Sequence, residues 1–144
     1  MTVQTAIEQA EALLPGSAAP EGETDPRWQA IIEIGEFIET DPEPVWSFAL
    51  RWGSSEDDDL RAAIGTCLLE HLLQHHFDRF ISRVEDAAHG DELFARTVGY
   101  CWKFGQSEEP TRAARLDRLQ RFCQNTGDRQ RRSAGRKDVR PRNS

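Results

Sequence analysis

No stretch of this chain approaches the ~18 consecutive apolar residues that a membrane-spanning helix needs. None alternates apolar and polar residues for long enough to make a strand. The first absence excludes a helical membrane span, and the second leaves helices and loops. No basic residue precedes Arg27, so the positive segment of a secretory leader and the arginines of a transit peptide are both missing. A cytoplasmic protein is the expectation. Cysteine is scarce: Cys67, Cys101 and Cys123 lie in apolar helical patterns without CxxC spacing. That odd set predicts buried thiols in a reducing compartment, not a disulfide framework. Lysine is nearly missing too, with Lys103 and Lys137 standing against sixteen arginines. Together with abundant alanine, this bias points to a GC-rich, bacterial coding sequence. Phosphate-cradling glycine loops, nucleophile elbows and HExxH are all absent, which leaves catalysis without a signal.

What is present is one domain's worth of chain, 144 residues, with room for a hydrophobic core. Apolar residues make up 38% and charged residues 30%, the balance of a soluble globular protein. The net charge of −7 conceals two unlike regions. Residues 1–124 carry 11 basic against 23 acidic residues, whereas 125–144 carry 7 basic against 2 acidic. An acidic body repels polyphosphate and suits a basic protein partner.

Three segments follow from the patterning. Residues 1–24 hold a short amphipathic helix (Val3, Ile7, Ala10, Leu14) and a Pro/Gly/Ala/Glu linker. Residues 25–124 form the helical domain. Asp25-Pro26 and Asp41-Pro42 each read as a capping aspartate followed by proline in the first turn. Gly53 reads as a left-handed helix end, with Ser55 capping the next helix and Glu56–Asp59 complementing its positive pole. A long central helix over about 56–75 carries Leu60, Ile64, Cys67, Leu68, His71 and Leu72 on its main face. Further helices are predicted at about 77–88, from Asp91 to Gly105 with Phe94, Val98, Cys101 and Trp102 inward, and at about 109–124. Residues 125–144 are basic and almost free of apolar side chains, so disorder is expected there.

One phrase occurs twice, 52 positions apart: Arg51-Trp52-Gly53-Ser54-Ser55-Glu56-Asp57 and Lys103-Phe104-Gly105-Gln106-Ser107-Glu108-Glu109. Self-similarity at such a spacing marks stacked helical units. On these corners, and on helix lengths and caps over residues 25–124, the chain resembles armadillo/HEAT helical repeat proteins. The expected fold is therefore all-α: a short repeat array or an irregular bundle of six to seven helices. The resemblance implies an exposed binding surface and no enclosed active site.

Two tryptophans, Trp28 and Trp46, are assigned to the interhelical core together with Trp102, while Trp52 and Phe104 are candidate partner anchors at equivalent corners. Arg51, Lys103, Glu56, Asp57 and Asp58 complete the candidate partner-binding set. Cys67, His71 and His75 stand four residues apart on one helix side and have the chemistry of zinc ligands. Three ligands climbing a straight helix spread over about 12 Å, too far to share one ion undistorted. A core thiol and two histidines at a helix edge are the plainer account, and no cofactor is expected.

These observations favour a non-catalytic protein-interaction module, such as an adaptor, inhibitor or immunity-type protein, with a basic partner and no membrane. A nucleic-acid-associated protein resembling DNA alkylation-repair solenoids is the alternative. That family relies on a basic concave face, and here basic charge is concentrated in the tail, without interleaved aromatics for stacking. A Cys/His metal-dependent enzyme is the third reading.

Overall fold

The computed structural model describes the backbone of residues 1–139 and the side chains of residues 1–126. It is all-helical: α1 Val3–Leu13, α2 Pro26–Gly35, α3 Pro42–Trp52, α4 Asp58–Ile64, α5 Glu70–Gly90, α6 Glu92–Val98 and α7 Pro110–Val139. A π-helical turn, Gly65–Leu69, joins α4 to α5 without a break, and a 3-10 turn, Gly105–Glu108, precedes α7. Among the described residues no strand occurs.

The Asp-Pro starts are where local chemistry puts them. Asp25 accepts from the Arg27 amide with Pro26 in the first turn. Asp41 precedes α3 without a side-chain cap bond, leaving proline's fixed φ as the start signal there. The cap of α4 is Asp57, not Ser55; its carboxylate accepts from the amides of Asp59 and Leu60. Asp91 caps α6 in the same way, at Leu93 and Phe94.

The expected break between the central helix and its successor is a kink at His76, with φ −141° and ψ 47° inside α5. A long-range clasp stabilises it. The Gln106 amide donates to the His75 carbonyl (2.8 Å) and accepts from the Phe77 amide (2.9 Å), so both freed backbone groups are satisfied. Phe48, Phe77, Phe80 and Phe94 are wholly buried with Ile31, Ile34, Ile64 and Leu68. Trp46 stands edge-on to Phe94 at 6.1 Å in the same core. The amphipathic α1 packs on α2 and α3, burying Ala6, Ile7 and Ala10.

Three expectations need correction. First, the two similar phrases do not form equivalent corners. Trp52 ends α3, and Gly53 follows with right-handed φ −67°. A Cβ on Gly53 would lie 3.0 Å from the Phe94 ring, so close packing, not handedness, calls for glycine. Phe104 is extended (φ −133°, ψ 156°), and Gly105 has φ +52° where it docks on Gln74 of the kink.

Second, α6 stops at Val98 instead of reaching Gly105, and Trp102 points outward with 73% exposure. Side chains from elsewhere take the backbone groups that a longer helix would have paired. Glu70 accepts from the Trp102 amide, and Gln120 donates to the carbonyls of Val98 and Cys101.

Third, the backbone helix of α7 runs to Val139, through residues expected to be disordered from 125. An already nucleated helix can propagate through the arginines and glutamine here, with no proline between Pro110 and Pro141, although Gly127 and Gly135 each disfavour it. The side chains of the tail arginines, and residues 140–144 altogether, lie outside the described residues.

Candidate functional site

The α4–α5 rod passes the end of α6 at its π-helical turn. A Cβ on Gly65 would sit 2.5 Å from the Thr97 carbonyl oxygen, so only glycine permits this approach. The Cys101 thiol meets the Gly65 carbonyl at 3.5 Å. Such turns widen a helix locally and often accompany functional sites. Here the turn has a cavity on each side, and Thr66 lines both.

The larger cavity is an open groove of about 1080 Å³, walled by α4, the end of α6, segment 99–104 and α7. Tyr100, Trp102, Arg61, Arg96, Lys103 and Gln120 are among its lining residues. Segment 100–104 leaves α6 through a turn at Tyr100 and is extended by Phe104, a short ribbon with three exposed aromatics: Tyr100 at 40%, Trp102 at 73% and Phe104 at 45%. The Trp102 amide donates to Glu70 Oε1 at 2.8 Å, and Glu70 is itself 5% exposed. Gln120 Nε2 donates to the Cys101 carbonyl, also at 2.8 Å. An exposed indole thus stands on a backbone gripped from α5 and from α7.

The sequence-predicted partner residues do not assemble into one surface. Arg51 and Trp52 both engage Glu11 of α1, Trp52 through its indole N–H at 3.3 Å. Trp52 is therefore partly covered by the N-terminal helix. Asp57 joins Asp25 and Asp59 around the buried Arg27 guanidinium, with contacts of 3.0, 3.4 and 3.0 Å respectively. The hydrogen bond from Arg27 holds the Asp57 carboxyl below its ordinary range despite some burial. For Asp25, burial pushes upward, but bonds from the Arg27 and Ala19 amides and the Arg27 guanidinium outweigh it. Asp58 pairs with Arg61, and Lys103 with Asp117. Glu56 and Phe104 are exposed. Of the expected acidic docking patch, Asp57 thus ties α4 to α2 through Arg27, which also donates to the Gly16 carbonyl of the linker at 3.2 Å, while Asp58 pairs within α4.

Cys67, His71 and His75 do line one cavity, the smaller one of about 400 Å³, together with Glu36, Glu39 and Glu70. They do not converge. His71 Nδ1 is bonded to Gln74 at 2.7 Å, and His75 Nδ1 faces Glu39 at 3.5 Å. Among the described residues no group of three His, Cys, Asp or Glu side chains is placed to hold a metal ion. Burial, aided by the Glu70 charge, pushes the Cys67 thiol up to about 11, so it is protonated at neutral pH.

Sequence reasoning missed Glu70 and Gln120 as positioning residues and Tyr100 and Trp102 as exposed ones. Gly99, inside the expected helix, was the available signal for an early end. Among the described residues no helix is long and apolar enough to cross a membrane. No curated protein and no solved structure matches the chain. The DUF6869 family, a family of unknown function, matches residues 17–122, a span that leaves out α1 and the whole basic stretch. By that match over most of its length, the chain belongs to the DUF6869 family.

Proposed function

We propose that this chain is a non-catalytic protein-binding module, of adaptor, inhibitor or immunity type, which grips its partner at the groove beside segment 100–104. The supporting observation is Trp102, 73% exposed on a backbone held by Glu70 and Gln120. Most interface energy comes from a few aromatic and arginine anchors, and an anchor already held in place loses little freedom on binding. The groove beside it offers Tyr100, Arg96 and Lys103 within one concave surface. The acidic corner at Glu56, Asp57 and Asp58 has less to offer, because Asp57 and Asp58 already serve Arg27 and Arg61.

Affinity capture from host extract with the intact chain and with Trp102→Ala tests this. Specific proteins retained by the first and lost from the second, at equal thermal stability, are the expected result. An unchanged set of captured proteins would refute the assignment of this surface. Removing residues 125–144 separates this from a nucleic-acid role of the helical body: salt-sensitive DNA binding that survives would favour that role over the protein-binding reading, and total loss would confine DNA binding to the basic stretch.

A further inference from the structure

We infer that the groove beside Trp102 receives an acidic peptide segment bearing an apolar or aromatic residue. This rests on the protein-binding reading above and specifies its partner's chemistry. The carrying observation is a local inversion of charge. Over residues 1–124 acids outnumber bases, 23 to 11, yet the groove is lined by three cations, Arg61, Arg96 and Lys103, and one acid, Asp58. Charge arranged within a concave, partly desolvated site governs what docks there more than the net charge of the body does.

Arg61 is the fixed member of this set. It is 2% exposed and donates to the Ser55 carbonyl at 2.9 Å, while its Nε has no hydrogen-bond partner. Its carboxylate partner Asp58 is 81% exposed, so the pair is held from the solvent side by a group that an incoming carboxylate can rival. Arg96 is exposed, and Lys103 is partly so, beside Asp117. The Trp102 indole supplies an apolar surface, and Gln120 and Gln124 add amide groups along the α7 wall.

Size and the charge of the body favour a peptide. At about 1080 Å³ and open to solvent, the groove is at the upper limit for a single small ligand, ~300–1,000 Å³. A long polyphosphate would instead have to lie against the acid excess of the body.

The test titrates the full chain, by fluorescence anisotropy at low salt, against three labelled probes. These are a short Glu/Asp peptide with one Phe, its Lys/Arg counterpart, and a short single-stranded DNA. The acidic peptide is expected to bind best, and to weaken as salt is raised. Arg96→Glu and Trp102→Ala, both at exposed positions and checked for folding by circular dichroism, should each weaken it by about tenfold or more. Absent binding of the acidic peptide, or binding indifferent to Arg96→Glu, overturns the inference. Preference for the basic peptide, abolished by Trp102→Ala, overturns it too but leaves the protein-binding reading standing. DNA binding that is strongest and indifferent to Trp102→Ala overturns both.

Discussion

The Glu70 carboxylate accepts a hydrogen bond from the Trp102 backbone amide across 32 residues of sequence, at 2.8 Å. A buried acid at the start of α5 thereby sets where the exposed aromatic ribbon leaves the body. The same hydrogen bond links the walls of the two cavities, since Glu70 lines the smaller and Trp102 the larger.

Glu70→Ala leaves the Trp102 amide without its acceptor and should cost about 1–3 kcal/mol of stability. Glu70→Gln keeps an acceptor oxygen and should cost less. Urea unfolding ranks the two variants, and hydrogen exchange at the Trp102 amide should accelerate in Glu70→Ala alone. Equal exchange in both would mean that Glu70 does not position the ribbon.

Gln106 is a second tie of the same kind, closing the kink at His76 from both sides. Gln106→Ala removes two hydrogen bonds, and water can reach the partly exposed kink to replace some of that loss. A destabilisation of about 1–2 kcal/mol is expected, with faster exchange at Phe77 and little change elsewhere. Uniformly faster exchange would instead mean that the kink opens only with the whole domain.

The Arg27 hub predicts acid sensitivity of known sign. Its hydrogen bond to Asp57, and that of Arg115 to Glu85, hold those carboxyls below their ordinary values of 3.8 and 4.5. Carboxyls depressed in the folded state stabilise it fully above those ordinary values, and the benefit is lost as pH falls through the folded ones. Denaturation midpoints should therefore be level from neutral pH to about 5 and fall below about 4. Arg27→Met should destabilise by about 2 kcal/mol or more at neutral pH, less than a fully buried pair because Asp57 and Asp59 stay part-exposed. It should also flatten the acid limb, and an unchanged limb would place the acid sensitivity elsewhere.

The three thiols should be slow. Burial pushes Cys67 and Cys123 up to about 11 and Cys101 higher still, so thiolate is scarce at neutral pH. Titration with a disulfide reagent should show slow native reaction, Cys67 first because it is half-buried, and rapid reaction of all three in denaturant. A fast native thiol would point to an opening of the cavity beside Cys67.

Much of the fold was legible because its signals are short. Asp25 and Asp91 start helices through hydrogen bonds within three residues and Asp41-Pro42 through proline's fixed φ, and the pattern change near His76 marks the kink. The partner site was not legible in the same way. Arg51-Trp52-Gly53 and Lys103-Phe104-Gly105 look alike in sequence, yet one ends α3 under α1 and the other is an extended edge beside α7. Their likeness is one of residue type, whereas backbone conformation there depends on Phe94, Gln74 and Glu70, each far along the chain.

What the sequence by itself determined is the all-helical class, most helix starts and the acidic body with its basic end, because periodicity, capping and charge are properties of neighbouring residues. Only the tertiary structure decided that α6 stops at Val98, that Trp102 faces solvent and that Asp57 serves Arg27. Each of these depends on a polar group finding its partner some 20 to 30 residues away. Helix propensity cannot foresee that choice, since either outcome satisfies the backbone and only packing selects between them.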